Sequence, residues 1–238
     1  MEVIVGAAVA TVRKRKVEAI QRLLGDTIGI SEDDWQAPSR VPGWTRAHVA
    51  SHLARNADGL RRLIDGALTG EPTAMYSSLV QRDRDIERGS ERTALELQID
   101  LDTSSQQLAR AFDRVPESAW PVLVETPGGG FPLRLLPLAR LNEVVLHHWD
   151  LDCGYPLADV DAAVARWLLE WAVLRYAHRE DLPGIALESS SGLRATLGSG
   201  VDKARVRGTD AQLVYWLSGR VGSEAVEGAE GINLPRFI

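Results

Sequence analysis

Only one cysteine, Cys153, occurs in the 238 residues. A lone thiol excludes an internal disulfide and an all-cysteine structural zinc site, and it fits a reducing cytoplasm. Long apolar runs are also missing. No stretch approaches the roughly 20 residues that a membrane span requires. The N-terminus, MEVIVGAAVATVRKRK, has a short apolar part and no leading basic region, so a signal peptide is not expected. Long basic runs are absent as well, and the net charge is −6. That balance offers no electrostatic footprint for nucleic acid. The longest basic cluster, Arg13 to Lys16, lies in an amphipathic segment and reads as a solvated helix face. No internal repeat or low-complexity tract stands out. With 45% hydrophobic and 25% charged residues, the composition is that of a globular protein able to bury a large core.

The first part of the chain reads as four long helices. Residues about 3–25 place Val12, Ala19, Ile20, Leu23 and Leu24 at helical spacing. A loop, SEDDWQAPSRVPGW, follows. Thr45 is an N-cap candidate for the second helix, which runs to about Thr69 before Gly70. The third helix is expected to open at Ser90 and close before Pro116, with Leu97, Leu101, Leu108 and Phe112 on one face. An irregular stretch, ESAWPVLVETPGGGFP, comes next, and its Gly128-Gly129-Gly130 run reads as a turn or a flexible loop. Pro137 suits the first turn of the fourth helix, which ends near Gly154.

Composition shifts after Gly154-Tyr155-Pro156. Asp159 or Asp161 caps a helix carrying Trp167, Leu168, Trp171, Leu174 and Tyr176. The alternating runs at 185–190, 193–198 and 203–208 read as a small antiparallel sheet. DAQLVYWLSG (210–219) reads as a helix packed on it. The expected class is therefore α plus α+β: a four-helix bundle at 1–154 and a smaller α+β domain at 155–238.

The few histidines are the informative residues: His48, His52, His147, His148 and His178. His48 and His52 lie one turn apart on the second helix. Glu143 lies four residues before His147 on the fourth. A histidine from one helix, plus an acid and a histidine one turn apart on another, is a donor set for a metal. At about 100° per residue, His52 falls on the edge of the apolar stripe and His48 turns toward solvent. On the fourth helix Arg140, Glu143, His147 and Asp150 form one narrow polar stripe. It faces either water or an internal polar pocket, and spacing does not choose between them. Periodicity packs His148 inward beside Leu141, so His148 stays open as the alternative ligand, about 140° from Glu143 on the wheel.

These segments resemble a known family. VPGWTRAHVASHLA is similar to the second-helix pattern of the DinB-like metal-dependent bundles, whose histidine aligns with His52. NEVVLHHWDL is similar to their fourth-helix pattern and aligns Glu143 and His147 with the family's ligands. TDAQLVYWLSGR (209–220) resembles a segment near the end of those members that carry a sterol-carrier-like C-terminal domain. Together the three resemble the pattern of the mycothiol-dependent maleylpyruvate isomerase group.

The resemblance implies zinc or another divalent metal on His52, Glu143 and His147, with one coordination position open. It implies mycothiol as thiol cofactor. A metal-activated thiolate adds to the cis double bond of maleylpyruvate, rotation follows, and expulsion of the thiol gives fumarylpyruvate. Such a reaction belongs to aromatic-compound (gentisate) degradation. The borrowed thiol matches the lone Cys153, which reads as a packing residue. Arg220, closing WLSGR, is the candidate for gripping a substrate carboxylate or enolate, set against the role of a helix C-terminal cation. Arg140 is a weaker second candidate, and Asp150 a partner for a ligating histidine. Two other readings remain: a mycothiol S-transferase using the same site, and a non-catalytic metal-binding and lipid-carrier module. The expected partners are the small-molecule substrate and the thiol, with no nucleic acid and no membrane, in a monomer or small homo-oligomer.

Overall fold

The computed structural model describes residues 8–177, 179, 181–199 and 203–235. His178 and the expected helix start near residue 3 lie outside them. The chain divides into two compact units, one from Val9 to Tyr155 and one from Pro156 onward. The expected class, a helical bundle followed by a smaller α+β part, is the one observed.

Four long helices build the first unit: α1 (Val9–Thr27), α3 (Arg46–Thr69), α5 (Ala94–Asp113) and α6 (Leu136–Asp150). Leu23, Val49, Leu53, Leu97, Leu101 and Val144 meet in its core. Two short helices, α2 (Glu32–Gln36) and α4 (Leu79–Ser90), supplement them. Neither was expected, and Ser90 ends α4 rather than opening the next helix. The true start of α5 is a capping box: Thr93 Oγ1 accepts from Glu96 N, and the Glu96 carboxylate accepts from Thr93 N.

The segment before α3 is a tight turn. Trp44 N donates to Val41 O at 3.0 Å across Pro42 and Gly43, and Gly43 has φ +81°. Proline then glycine with positive φ is the chemistry of a type II turn. Thr45 caps α3 by accepting from His48 N.

The stretch expected to be irregular contains a hairpin of β1 (Leu123–Thr126) and β2 (Gly129–Pro132). Thr126 pairs with Gly129, so Gly129 and Gly130 belong to a strand and not to a loose loop. One member of the basic cluster on α1 also departs from expectation. Lys16 is 1% exposed, with its ammonium 4.8 Å from the Phe112 ring centroid.

The second unit holds α7 (Ala162–Tyr176), α8 (Asp210–Leu217) and strands β3 (Ile185–Ser189), β4 (Arg194–Leu197) and β5 (Ala204–Gly208). Asp161, not Asp159, caps α7, accepting from Ala163 N and Val164 N. The strand order is β4-β3-β5. β4 pairs antiparallel with β3, but β5 pairs parallel with it, which corrects the expected all-antiparallel sheet. An alternating pattern marks the buried face of a strand and is the same for either direction.

Candidate metal centre

The triad is assembled from α3 and α6. His52 is on the buried face of α3, two turns in from its capped end. Glu143 and His147 are one turn apart on α6, and the polar stripe of that helix faces inward. Other side chains of the stripe explain why. Arg140 is 1% exposed, and its Nη1 donates to Leu53 O at 2.7 Å and to Asn56 Oδ1 at 2.8 Å. A buried guanidinium needs such acceptors. Burial pushes Arg140 down to about 10, so it stays charged at neutral pH. Fixed inside the bundle, Arg140 is an internal tie and does not serve as a carboxylate-binding side chain.

One Glu143 oxygen, Oε2, lies 2.9 Å from His52 Nε2 and 3.6 Å from His147 Nε2. The three donor atoms lie within 4.8 Å of one another. The imidazoles meet edge to face at 4.5 Å, and the Trp44 ring stands 5.5 Å from His52. Glu143 keeps 28% of its side chain accessible, against 8% for His52, so a small molecule can reach the centre from the glutamate side.

Charges in the cluster are strongly coupled. Burial pushes the Glu143 carboxyl up, but hydrogen bonds with His147 and His52 hold it well below the usual carboxylate range. Burial and the neighbouring His147 bring His52 down to about 4. Burial also disfavours the charged form of His147, yet Asp150 and Glu143 outweigh it and raise its pKa. The cluster therefore holds an ionised carboxylate beside a neutral imidazole, His52, and beside His147, whose charged form its two carboxylate neighbours favour.

Two nitrogens and a carboxylate oxygen, convergent and partly open to solvent, are donors suited to zinc in a catalytic site. Removing the protons that now lie between them leaves three lone pairs aimed at one place. The residues thus fit a divalent cation, and Asp150 Oδ2 stands 2.8 Å from the outer nitrogen of His147.

The other described histidines have other work. His48 was expected to turn toward solvent, but its Nδ1 accepts from Thr45 N while Nε2 lies 3.1 Å from Glu87 Oε2. It completes the cap of α3 and ties it to α4. His148 is buried, stacked on Tyr155 at 4.1 Å and 3.2 Å from Asp26 Oδ2. Burial raises the Cys153 thiol to about 11, which makes it a poor nucleophile. Arg220 lies in the second unit. Gly219 (φ +73°) ends α8, Arg220 N donates to Tyr215 O, and its Nη1 donates to Ser218 O at 3.3 Å. This is the Schellman stop that a WLSGR sequence encodes.

Sequence reading missed Arg82. It lies on α4, and its Nη2 is 3.2 Å from His52 Nδ1. One sequence signal for that helix is its N-cap, Ser78, which accepts from Gln81 N.

Residues 17–152 match the family described as the mycothiol maleylpyruvate isomerase N-terminal domain. The chain belongs to this family. Its matched segment contains the Pro-Gly-Trp turn, α3 and α6, hence every member of the triad. Two solved structures are similar over the whole chain, both of a mycothiol-dependent maleylpyruvate isomerase, one of them an alanine mutant of a histidine. Each superposes with a TM-score of 0.88 at 26% identity, covering 97% of this chain and 98% of the other. The likeness therefore includes the second unit, which the family match does not reach. No curated protein matches the chain. Among the described residues no helix is long and apolar enough to cross a membrane.

Proposed function

We propose that the protein is a metal- and thiol-dependent cis–trans isomerase that converts maleylpyruvate to fumarylpyruvate, with zinc on His52, Glu143 and His147 and mycothiol as cofactor. One observation carries the reading: the three donors that resemble the family's ligands converge within 4.8 Å, in a chain whose fold matches that isomerase throughout. A bound zinc and thiol would supply a nucleophile that adds reversibly to the conjugated double bond, so that the bond can turn while single.

The chain's own residues do the rest. Glu143 balances the cation's charge and keeps the centre open to solvent on its side. Asp150 fixes the ring of His147. Trp44 excludes water beside His52. Arg220 is the candidate for pairing with a substrate carboxylate, because a guanidinium binds one bidentately. The thiol nucleophile is not Cys153, whose raised pKa keeps it protonated at neutral pH. A reducing cytoplasm suits both the lone cysteine and a thiol cofactor.

The experiment is ultraviolet absorbance of maleylpyruvate with zinc-loaded protein, with and without mycothiol. Fumarylpyruvate forming catalytically without thiol consumption supports the isomerase. Stoichiometric thiol loss to an adduct assigns the S-transferase reaction instead. Bound zinc with turnover in neither assay returns the chain to a non-catalytic metal-binding module.

A further inference from the structure

The two histidines of the triad differ in what stands behind them. A metal-bound imidazole carries its proton on the other nitrogen, and that N–H is ordinarily matched by an acceptor such as a carboxylate or carbonyl. His147 has a carboxylate there, Asp150 Oδ2, 2.8 Å from Nδ1. His52 has the reverse. Its Nδ1 faces Arg82 Nη2 at 3.2 Å. A guanidinium has five donors and no acceptor, and it does not lose its proton. The contact therefore needs a lone pair on Nδ1, which puts the proton of neutral His52 on Nε2. Nε2 then donates to Glu143 Oε2 at 2.9 Å. That tautomer cannot bind a metal through Nε2.

We propose that Arg82 is a positioning residue that sets the metal affinity of this centre: it holds His52 in the non-binding tautomer and must leave Nδ1 when a cation is loaded. The inference rests on the reading of the triad as a metal site. Arg82 is placed to move. Its side chain is 24% exposed and pairs through Nη1 with Asp83, itself 66% exposed, at 2.6 Å. The Tyr76 ring, 5.9 Å from the guanidinium carbon, flanks it. The asymmetry makes His147 with Glu143 the standing half of the site and His52 the arm that engages last. Because loading the metal and displacing Arg82 are one equilibrium, whatever draws the guanidinium away from His52 also tightens the metal.

The test compares the native chain with Arg82→Met and, as a control for lost charge, Arg88→Met. Arg88 is on the same helix, 75% exposed and paired with Asp85. In metal-free protein, nitrogen-15 NMR of the His52 ring should show Nε2 protonated in the native chain and in Arg88→Met, and the preference lost in Arg82→Met. Zinc affinity, read by competition with a chromophoric chelator, should rise about tenfold in Arg82→Met and stay unchanged in Arg88→Met. A native His52 protonated on Nδ1 overturns the proposal. So does a zinc affinity in Arg82→Met that is equal to or weaker than native, or a gain of the same size in Arg88→Met. If the native chain takes up no zinc at all, the reading of the triad falls together with the proposal. Native zinc binding with an unresponsive Arg82→Met overturns the proposal alone.

Discussion

Asp150 stands 2.8 Å from His147, on the same helix and one turn further on, and only 2% of its side chain is exposed. A buried carboxylate so placed has two effects. It fixes the imidazole ring, and it makes the opposite nitrogen a better donor to a cation. Asp150→Asn keeps the volume and removes the charge. Zinc affinity is expected to fall roughly 10- to 100-fold with little change in fold, as checked by chelator competition and circular dichroism. An unaltered affinity would show that Asp150 serves packing alone.

The five substitutions of described histidines and Glu143 should separate cleanly. His52→Ala, Glu143→Ala and His147→Ala are expected to lose stoichiometric zinc and isomerase activity. His48→Ala should keep zinc and lose about 1 kcal/mol of stability, the usual cost of a missing cap. His148→Ala should also keep zinc, but its buried stack on Tyr155 makes a loss of about 1–3 kcal/mol the expectation. Metal analysis and urea denaturation read both quantities. Zinc lost from His148→Ala and retained in His147→Ala would move the ligand on α6 by one residue.

Elements with an apolar stripe were legible in the sequence, and those that pack by other means were not. α3 and α5 announce themselves through leucines at helical spacing. α4 buries only Ile86, Gly89 and Ser90. It packs through close approach instead: a Cβ added at Gly89 would sit 2.1 Å from Ser51 Oγ. A helix that buries a single large apolar side chain, Ile86, carries no apolar stripe, so Arg82 went unseen with it. The inward stripe of α6 escaped for a related reason. Whether Arg140 and Asp150 face water or the interior depends on acceptors and donors supplied by other helices, such as Leu53 O and Asn56. Resemblance chose His147 over His148 where spacing could not, and the structure brings His147, not His148, to Glu143.

Lys16 gives the clearest dependence of stability on pH. Burial, with help from Arg140 and Arg13, lowers its pKa from 10.5 to about 8. The folded state therefore binds its proton less readily than the unfolded chain. Below pH 8 the ammonium is charged in both states, and the folded state bears the full cost of burying it. Between pH 8 and 10.5 the folded protein has released the proton while the unfolded chain still holds it, so stability rises with pH. Lys16→Met fills the same space without a charge. It should stabilise the protein at pH 7 by on the order of 1–3 kcal/mol, less the lost contact with Phe112. The gain should shrink as pH climbs through this window and disappear by about pH 10.5. Urea denaturation of both proteins at pH 7 and pH 10 measures the difference, and a gain independent of pH would mean that Lys16 holds its proton as tightly in the folded bundle as in the unfolded chain.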